Sequence, residues 1–269
     1  MAPRPRQKTG SFRTLRIALL LLILLAVAGD AWLTRVRSTD WDEPLWVSVS
    51  PINGDGSEAA GRYIATLSDQ SFEPVEAFLA REAARYGLTL RAPARVRLAP
   101  EVHEHPPAPP ANGRRVAIMV WSLEMRYWAW RVARKYGGPP VNIRMFVQYF
   151  DPGRTDRVAH SLGLQKGMVG VVNAFASRKL AGQNNVVIAH ELLHTVGASD
   201  KYDPASSQPL YPQGFADRGR TPLYPQMHAE IMGGRIPLSA QESALPMDLN
   251  KVIVGPETAL EINWVRPAS

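Results

Sequence analysis

The apolar positions along this chain change their period several times, and each change marks an element. Residues 17–28 are an unbroken apolar block that residues 29–33 can extend, the pattern of a helix with apolar surroundings on every side. After a polar stretch at 37–43, Leu45-Trp46-Val47-Ser48-Val49 alternates between Pro44 and Pro51 and predicts a strand. Val75, Phe78, Leu79, Ala83 and Tyr86 then recur at helical spacing, with Gly87 as a stop. Residues 94–99 and 141–150 alternate as strands, and residues 168–175 predict another after a glycine-punctuated stretch through His160, Gly163 and Gly167. Between them, residues 116–136 are apolar and aromatic. A helix is expected over the second half, while 116–120 suits either helix or strand. A helix is expected at 184–195, a proline-rich loop at 201–235, and a terminal helix over 256–264 with Pro256 in its first turn.

The order strand, helix, strand, helix, strand, strand, helix predicts an α/β (α+β) fold in which helices pack on a mixed, twisted sheet. The intervening segments read as turns. Asn53-Gly54-Asp55-Gly56-Ser57 has too few oxygen ligands at calcium-loop spacing and is turn chemistry. Residues 100–113 are a proline-rich loop, in which His103 and His105 read as exposed histidines in preference to a second metal site. In 116–136, Trp121, Tyr127, Trp128 and Trp130 alternate with Arg126, Arg131, Arg134 and Lys135. Membrane-surface contact is one reading, but aromatics filling a core beside a solvated cationic face is the commoner use of such a pattern.

Charge changes the picture at the amino terminus. The formal net charge is +7, yet residues 1–37 hold +6 of it, leaving +1 on the other 232 residues. The excess flanks an apolar segment and makes no patch on the folded part, so nucleic acid is not an expected partner. Residues 1–16 read as a basic cytoplasmic tail and 17–36 as a single-pass transmembrane signal anchor with Trp32 at its outer interface. Residues 37–43 follow as a linker, and residues 44–269 lie in the periplasmic or extracellular space. The alternative is secretion after cleavage near Ala28, at Ala26-Val27-Ala28. The chain has no cysteine, which excludes disulfides and thiol chemistry.

The candidate chemistry sits at His190-Glu191-Leu192-Leu193-His194. On a helix, residues four apart share a face, so His190 and His194 can hold one metal ion. Glu191 is offset by one position and can stand beside the ion as a base. Gly197 suits a left-handed helix end, after which the chain can turn and return Asp200 as a third ligand. Further on, Glu230-Ile231-Met232-Gly233-Gly234 sets a methionine in a glycine-rich turn.

Residues 183–235 thus resemble the metzincin clan of zinc metallopeptidases, with Asp200 in place of the commoner third histidine, as in the snapalysin-type variant. The resemblance implies a metalloprotease domain over 44–269, divided into an upper subdomain (44–197) and a loop-rich lower subdomain (198–269) with a methionine turn and terminal helix. It implies Zn²⁺ held by His190, His194 and Asp200, Glu191 as general base, Met232 as an apolar support, and a peptide or protein substrate. It also implies a last strand before the helix, here Val169 to Phe175, running antiparallel along the cleft. No tyrosine stands two residues after Met232, so an oxyanion stabiliser would come from Tyr202, Tyr211 or Tyr224. Three alternatives are a membrane-tethered binding protein that does not cleave, a site with Glu230 as third ligand, and an intramembrane protease. The last is disfavoured because Asn184, Asn185 and Asp200 surround the motif.

Overall fold

The structure, a computed structural model, describes residues 40–110, 114–156, 158–159, 161–164 and 168–265, with residues 15–19, 21, 22, 25 and 29 of the amino-terminal segment. The chain divides into two compact units, Met1–Arg37 and Ser38–Ser269. Most of the basic tail and of the expected membrane helix at 17–36 lies outside the described residues. Among the described residues no helix is long and apolar enough to cross a membrane. Residue 41 falls within the expected linker at 37–43. Trp41 is buried, its Nε1–H donates to the Ile262 carbonyl at 2.7 Å, and its ring meets Trp264 edge-on at 5.8 Å.

The second unit is a mixed α/β fold on a largely parallel five-stranded sheet. Strands β1 (Leu45–Asn53), β2 (Ala94–Leu98), β3 (Ile143–Phe150), β4 (Leu162–Leu164) and β5 (Val169–Phe175) lie in the order β2-β1-β3-β5-β4. The β1–β2, β1–β3 and β3–β5 pairs are parallel; only β4 pairs antiparallel, with Gly163 opposite Gly170. This corrects one expectation. The antiparallel edge strand is β4, whereas Val169–Phe175 is an interior strand parallel to β3. A three-residue strand carrying a central glycine has no alternation to read, so the pattern pointed to its longer neighbour instead.

Alternate side chains of the strands feed two cores, as the two-residue period requires. Val47, Val49, Met145, Val147, Val172 and Ala174 face helices α2 (Glu73–Arg85) and α4 (Ala181–Thr195). Ile52, Phe146, Val169 and Val171 face the long helix α3 (Arg115–Tyr136) through Met125, Trp128, Ala129 and Val132. Residues 116–120 are therefore helical. A short helix α1 (Glu58–Ile64) was not apparent from apolar spacing; Ser57 caps it, its hydroxyl accepting from Ala60 N at 3.1 Å. The turn chemistry of the preceding loop is explicit, since the two Asp55 carboxylate oxygens accept from Ser57 N and Asp151 N. After α4 the chain has only two-residue strands, β6 (Ala229–Glu230) to β9 (Val252–Ile253), before the terminal helix α5 (Pro256–Glu261).

Candidate metal centre

Helix α4 is fixed at both ends before its histidines are considered. Near its start the Asn184 side chain bonds both backbone groups of Phe175, accepting from N at 3.1 Å and donating to O at 2.8 Å, which ties the helix to the end of β5. At the other end Gly197 has φ +116°, Ala198 N–H donates to Leu193 O at 3.0 Å, and Gly197 N–H donates to His194 O at 3.2 Å. This pair of bonds is the Schellman arrangement, and it needs a residue without Cβ at Gly197. It also aims the Ala198 carbonyl back at the helix, where it receives His194 Nδ1 at 2.8 Å.

The second imidazole is held in the same way from further along the chain. His190 Nδ1 lies 2.8 Å from the Ile231 carbonyl oxygen. A carbonyl can only accept, so each Nδ1 carries the proton and each neutral imidazole turns a bare Nε2 lone pair inward. The two Nε2 atoms are 3.1 Å apart, and Asp200 Oδ1 lies 3.2 Å from His190 Nε2 and 3.1 Å from His194 Nε2. Two lone pairs and a carboxylate oxygen converge on one point, with ligand atoms within 4.8 Å of one another. Without a cation, two bare imidazole nitrogens at this distance repel, so the donor set fits a metal ion. Burial pushes the Asp200 carboxyl up, but without a metal ion protonated His190 and His194 would donate to it from Nε2, and that pull outweighs burial and holds its pKa well below the carboxylate range. Burial alone would lower the His190 pKa; in the absence of a metal ion the bond that a protonated Nε2 makes to Asp200, with the Glu191 charge, reverses that and raises it. The imidazoles are 12% and 17% exposed against 42% for Asp200, so the site opens to solvent on the carboxylate side.

Glu191 stands beside this cluster. Its carboxyl is buried, which raises its pKa against the pull of the two histidines and of a bond from the Gly163 backbone, and among the described residues Oε2 has no hydrogen-bond partner. A buried, unpartnered carboxylate oxygen costs stability unless something enters to use it. The edge strand passes directly over it: a Cβ at Gly163 would come within 2.5 Å of His194 Cβ and 2.7 Å of the Glu191 carbonyl oxygen.

Of the three candidate tyrosines, the fold brings only Tyr202 to the cluster. Its ring centroid is 6.3 Å from that of His190, and burial with the Asp200 and Glu191 charges pushes its pKa up to about 12. Tyr211 and Tyr224 instead pack on Phe215, with centroids 5.3 and 5.8 Å away. His103 and His105 stay on their loop, with His105 beside Gln148 at 3.1 Å. Glu230 is not a ligand either, which removes that alternative. Its carboxylate is buried and accepts from Met232 N, Gly233 N, Gly255 N and Thr258 Oγ1 at 2.7–2.9 Å. Burial raises its pKa, and the same bonds oppose the rise. The residue thus shapes the methionine turn that presents Ile231 O to His190. Met232 itself is fully buried, and its carbonyl accepts from Lys201 N at 2.9 Å, joining the turn to the segment after Asp200. On that segment the buried Lys201 ammonium donates to Glu261 of α5 at 2.7 Å, and Ser199 donates to the same carboxylate from N and Oγ. Neither ion-pair partner stood out in the sequence, because both are ordinary surface residue types.

A cavity of about 290 Å³ adjoins His190 and Glu191, its walls including Phe175, Val186, Val187, Leu245 and Pro246. Compared with known proteins, the chain matches no family model, and no curated sequence is similar to it.

Proposed function

We propose that this chain is a zinc-dependent endopeptidase of the metzincin type, carried on a membrane by residues 17–36 with its catalytic unit outside the cytoplasm. The observation that carries the reading is the convergence of His190 Nε2, His194 Nε2 and Asp200 Oδ1 beside a buried carboxylate with an unused oxygen. His190, His194 and Asp200 would hold the ion. Bound there, zinc supplies Lewis acidity, which makes water a better nucleophile and polarises a peptide carbonyl. Two histidines and one carboxylate also suit ferrous iron. Glu191 favours the hydrolytic reading, since a general base is what water attack needs.

Glu191 takes the proton of the attacking water on its carboxylate and returns it to the departing amine. Its burial beside the cluster gives the transferred proton a site screened from bulk water between the two steps. Tyr202, whose hydroxyl bonds the Asp200 carboxylate here, would turn that O–H to the oxygen that gains negative charge. As the edge strand of the sheet, β4 would pair with an extended peptide, and the cavity beside His190 suits an apolar side chain of that peptide.

The test is metal content. The purified full chain should hold one zinc per molecule, and Asp200→Ala should weaken zinc binding by about 10–100-fold or more. A folded, metal-supplemented chain without zinc removes the proposal. Zinc without proteolysis of any peptide library would make the tethered binding protein the better reading.

A further inference from the structure

Helix α3 is apolar on two opposite faces, and among the described residues only one of them has a partner. Trp121, Met125, Trp128 and Val132 recur at spacings of four and three and are buried, the last three against the sheet and Trp121 with its Nε1–H donating to the Pro107 carbonyl. Val116, Val120, Leu123, Tyr127 and Trp130 recur at the same spacings on the opposite side, where with Met119 they are 54–67% exposed. At 100° per residue the two stripes lie half a turn apart. The helix therefore presents a continuous apolar strip with two aromatics, not the scattered apolar residues normal on a surface.

The margins of the strip say what covers it. Arg126 lies along one edge and Arg131 along the other. Arg134 continues the strip at its end, with its guanidinium 5.1 Å from the Trp130 ring centroid. Arg131 shares Glu104 with Lys135, whereas Arg126 has no ion pair among the described residues. Glu124 is the only acid on the helix. A second copy docked strip to strip would bring these arginines together with almost no acid to compensate, although its apolar spacing would fit a two-helix seam. An anionic lipid surface satisfies both features. The apolar strip enters the headgroup boundary, Tyr127 and Trp130 sit at the level that suits amphipathic rings, and the arginines reach lipid phosphates.

We infer that the outer face of α3 docks on an anionic bilayer surface and so lays the catalytic unit against the membrane. This is independent of the reading of residues 17–36, and the experiment separates the two. Because the chain has no cysteine, Leu123→Cys gives a single site for an environment-sensitive fluorophore in the full chain, and Glu58→Cys on α1 gives a control. With phosphatidylglycerol-containing vesicles, the label at 123 should shift to the blue and lose aqueous iodide quenching several-fold, while the label at 58 stays quenchable. Combining Arg126→Glu with Arg134→Glu should abolish the change, with far-UV circular dichroism and zinc content preserved. A label at 123 that stays in water on the vesicles overturns the proposal even if the chain is anchored. Equal protection on phosphatidylcholine overturns the anionic assignment. Concentration-dependent self-quenching without lipid makes the face a contact between copies instead.

Discussion

At the level of single residues, position within a turn of helix decides chemistry. His190 and His194 point their Nε2 atoms at one place because they are four apart on α4, and Glu191 cannot join them because it is rotated by about 100°. If Glu191 is the base, Glu191→Gln should lower kcat by about 10²–10⁴-fold while zinc content stays at the wild-type level. Wild-type turnover in that variant would remove Glu191 from the mechanism. Tyr202 is a sharper case, since the three tyrosines of this loop are indistinguishable by sequence. Tyr202→Phe should cost about 10²-fold in kcat with little change in KM, and Tyr211→Phe should cost nothing. Steady-state kinetics of the pair would separate an oxyanion donor from a packing residue.

At the level of elements, the site depends on how closely β4 approaches α4. Gly163 allows that approach, and the atoms a Cβ would strike belong to backbone or to the rigid base of a side chain, so neither can swing away. Gly163→Ala should therefore destabilise the fold by about 1–3 kcal/mol, read as a lower thermal midpoint. It should also weaken zinc binding, because His194 is one of the atoms' owners. An unchanged midpoint would mean that the strand lifts off without loss. The helix end behaves differently. Gly197 was legible because its requirement is local, a positive φ where the pattern stops, and the Schellman bonds follow from it. The edge strand was not legible because its identity depends on which strand happens to lie outermost.

At the scale of the whole molecule, the segment bearing Asp200 is held by a contact between distant parts of the chain. Burial raises the Glu261 carboxyl, but bonds from Lys201 and Ser199 outweigh it and leave the pKa below that of a free glutamate. A group depressed in the folded state stabilises fully above its unfolded pKa, about 4.3, and that contribution is lost as pH falls through the folded value. Glu261→Gln should lower the thermal midpoint at pH 7, where the wild type has the full contribution, and the gap should shrink below about pH 4. A gap independent of pH would assign Glu261 to packing alone.

What the sequence determined by itself was much of what is set by neighbours within a turn or two of chain, the short helix α1 apart. That includes the order of the main elements, the shared face of His190 and His194, the offset of Glu191 and the stop at Gly197. Apolar period and backbone conformation carry such information because they act over a few residues. It even placed Asp200 near the metal helix, since six residues and one glycine turn leave little room to go elsewhere. Only the tertiary structure decided which strand forms the edge, that Glu230 braces the methionine turn and is no ligand, that Tyr202 and neither Tyr211 nor Tyr224 meets His190, and that α3 has an apolar face left over. Each of these depends on contacts between residues far apart in the chain. Alternation tells a strand which side is buried, but not which strand or helix will bury it.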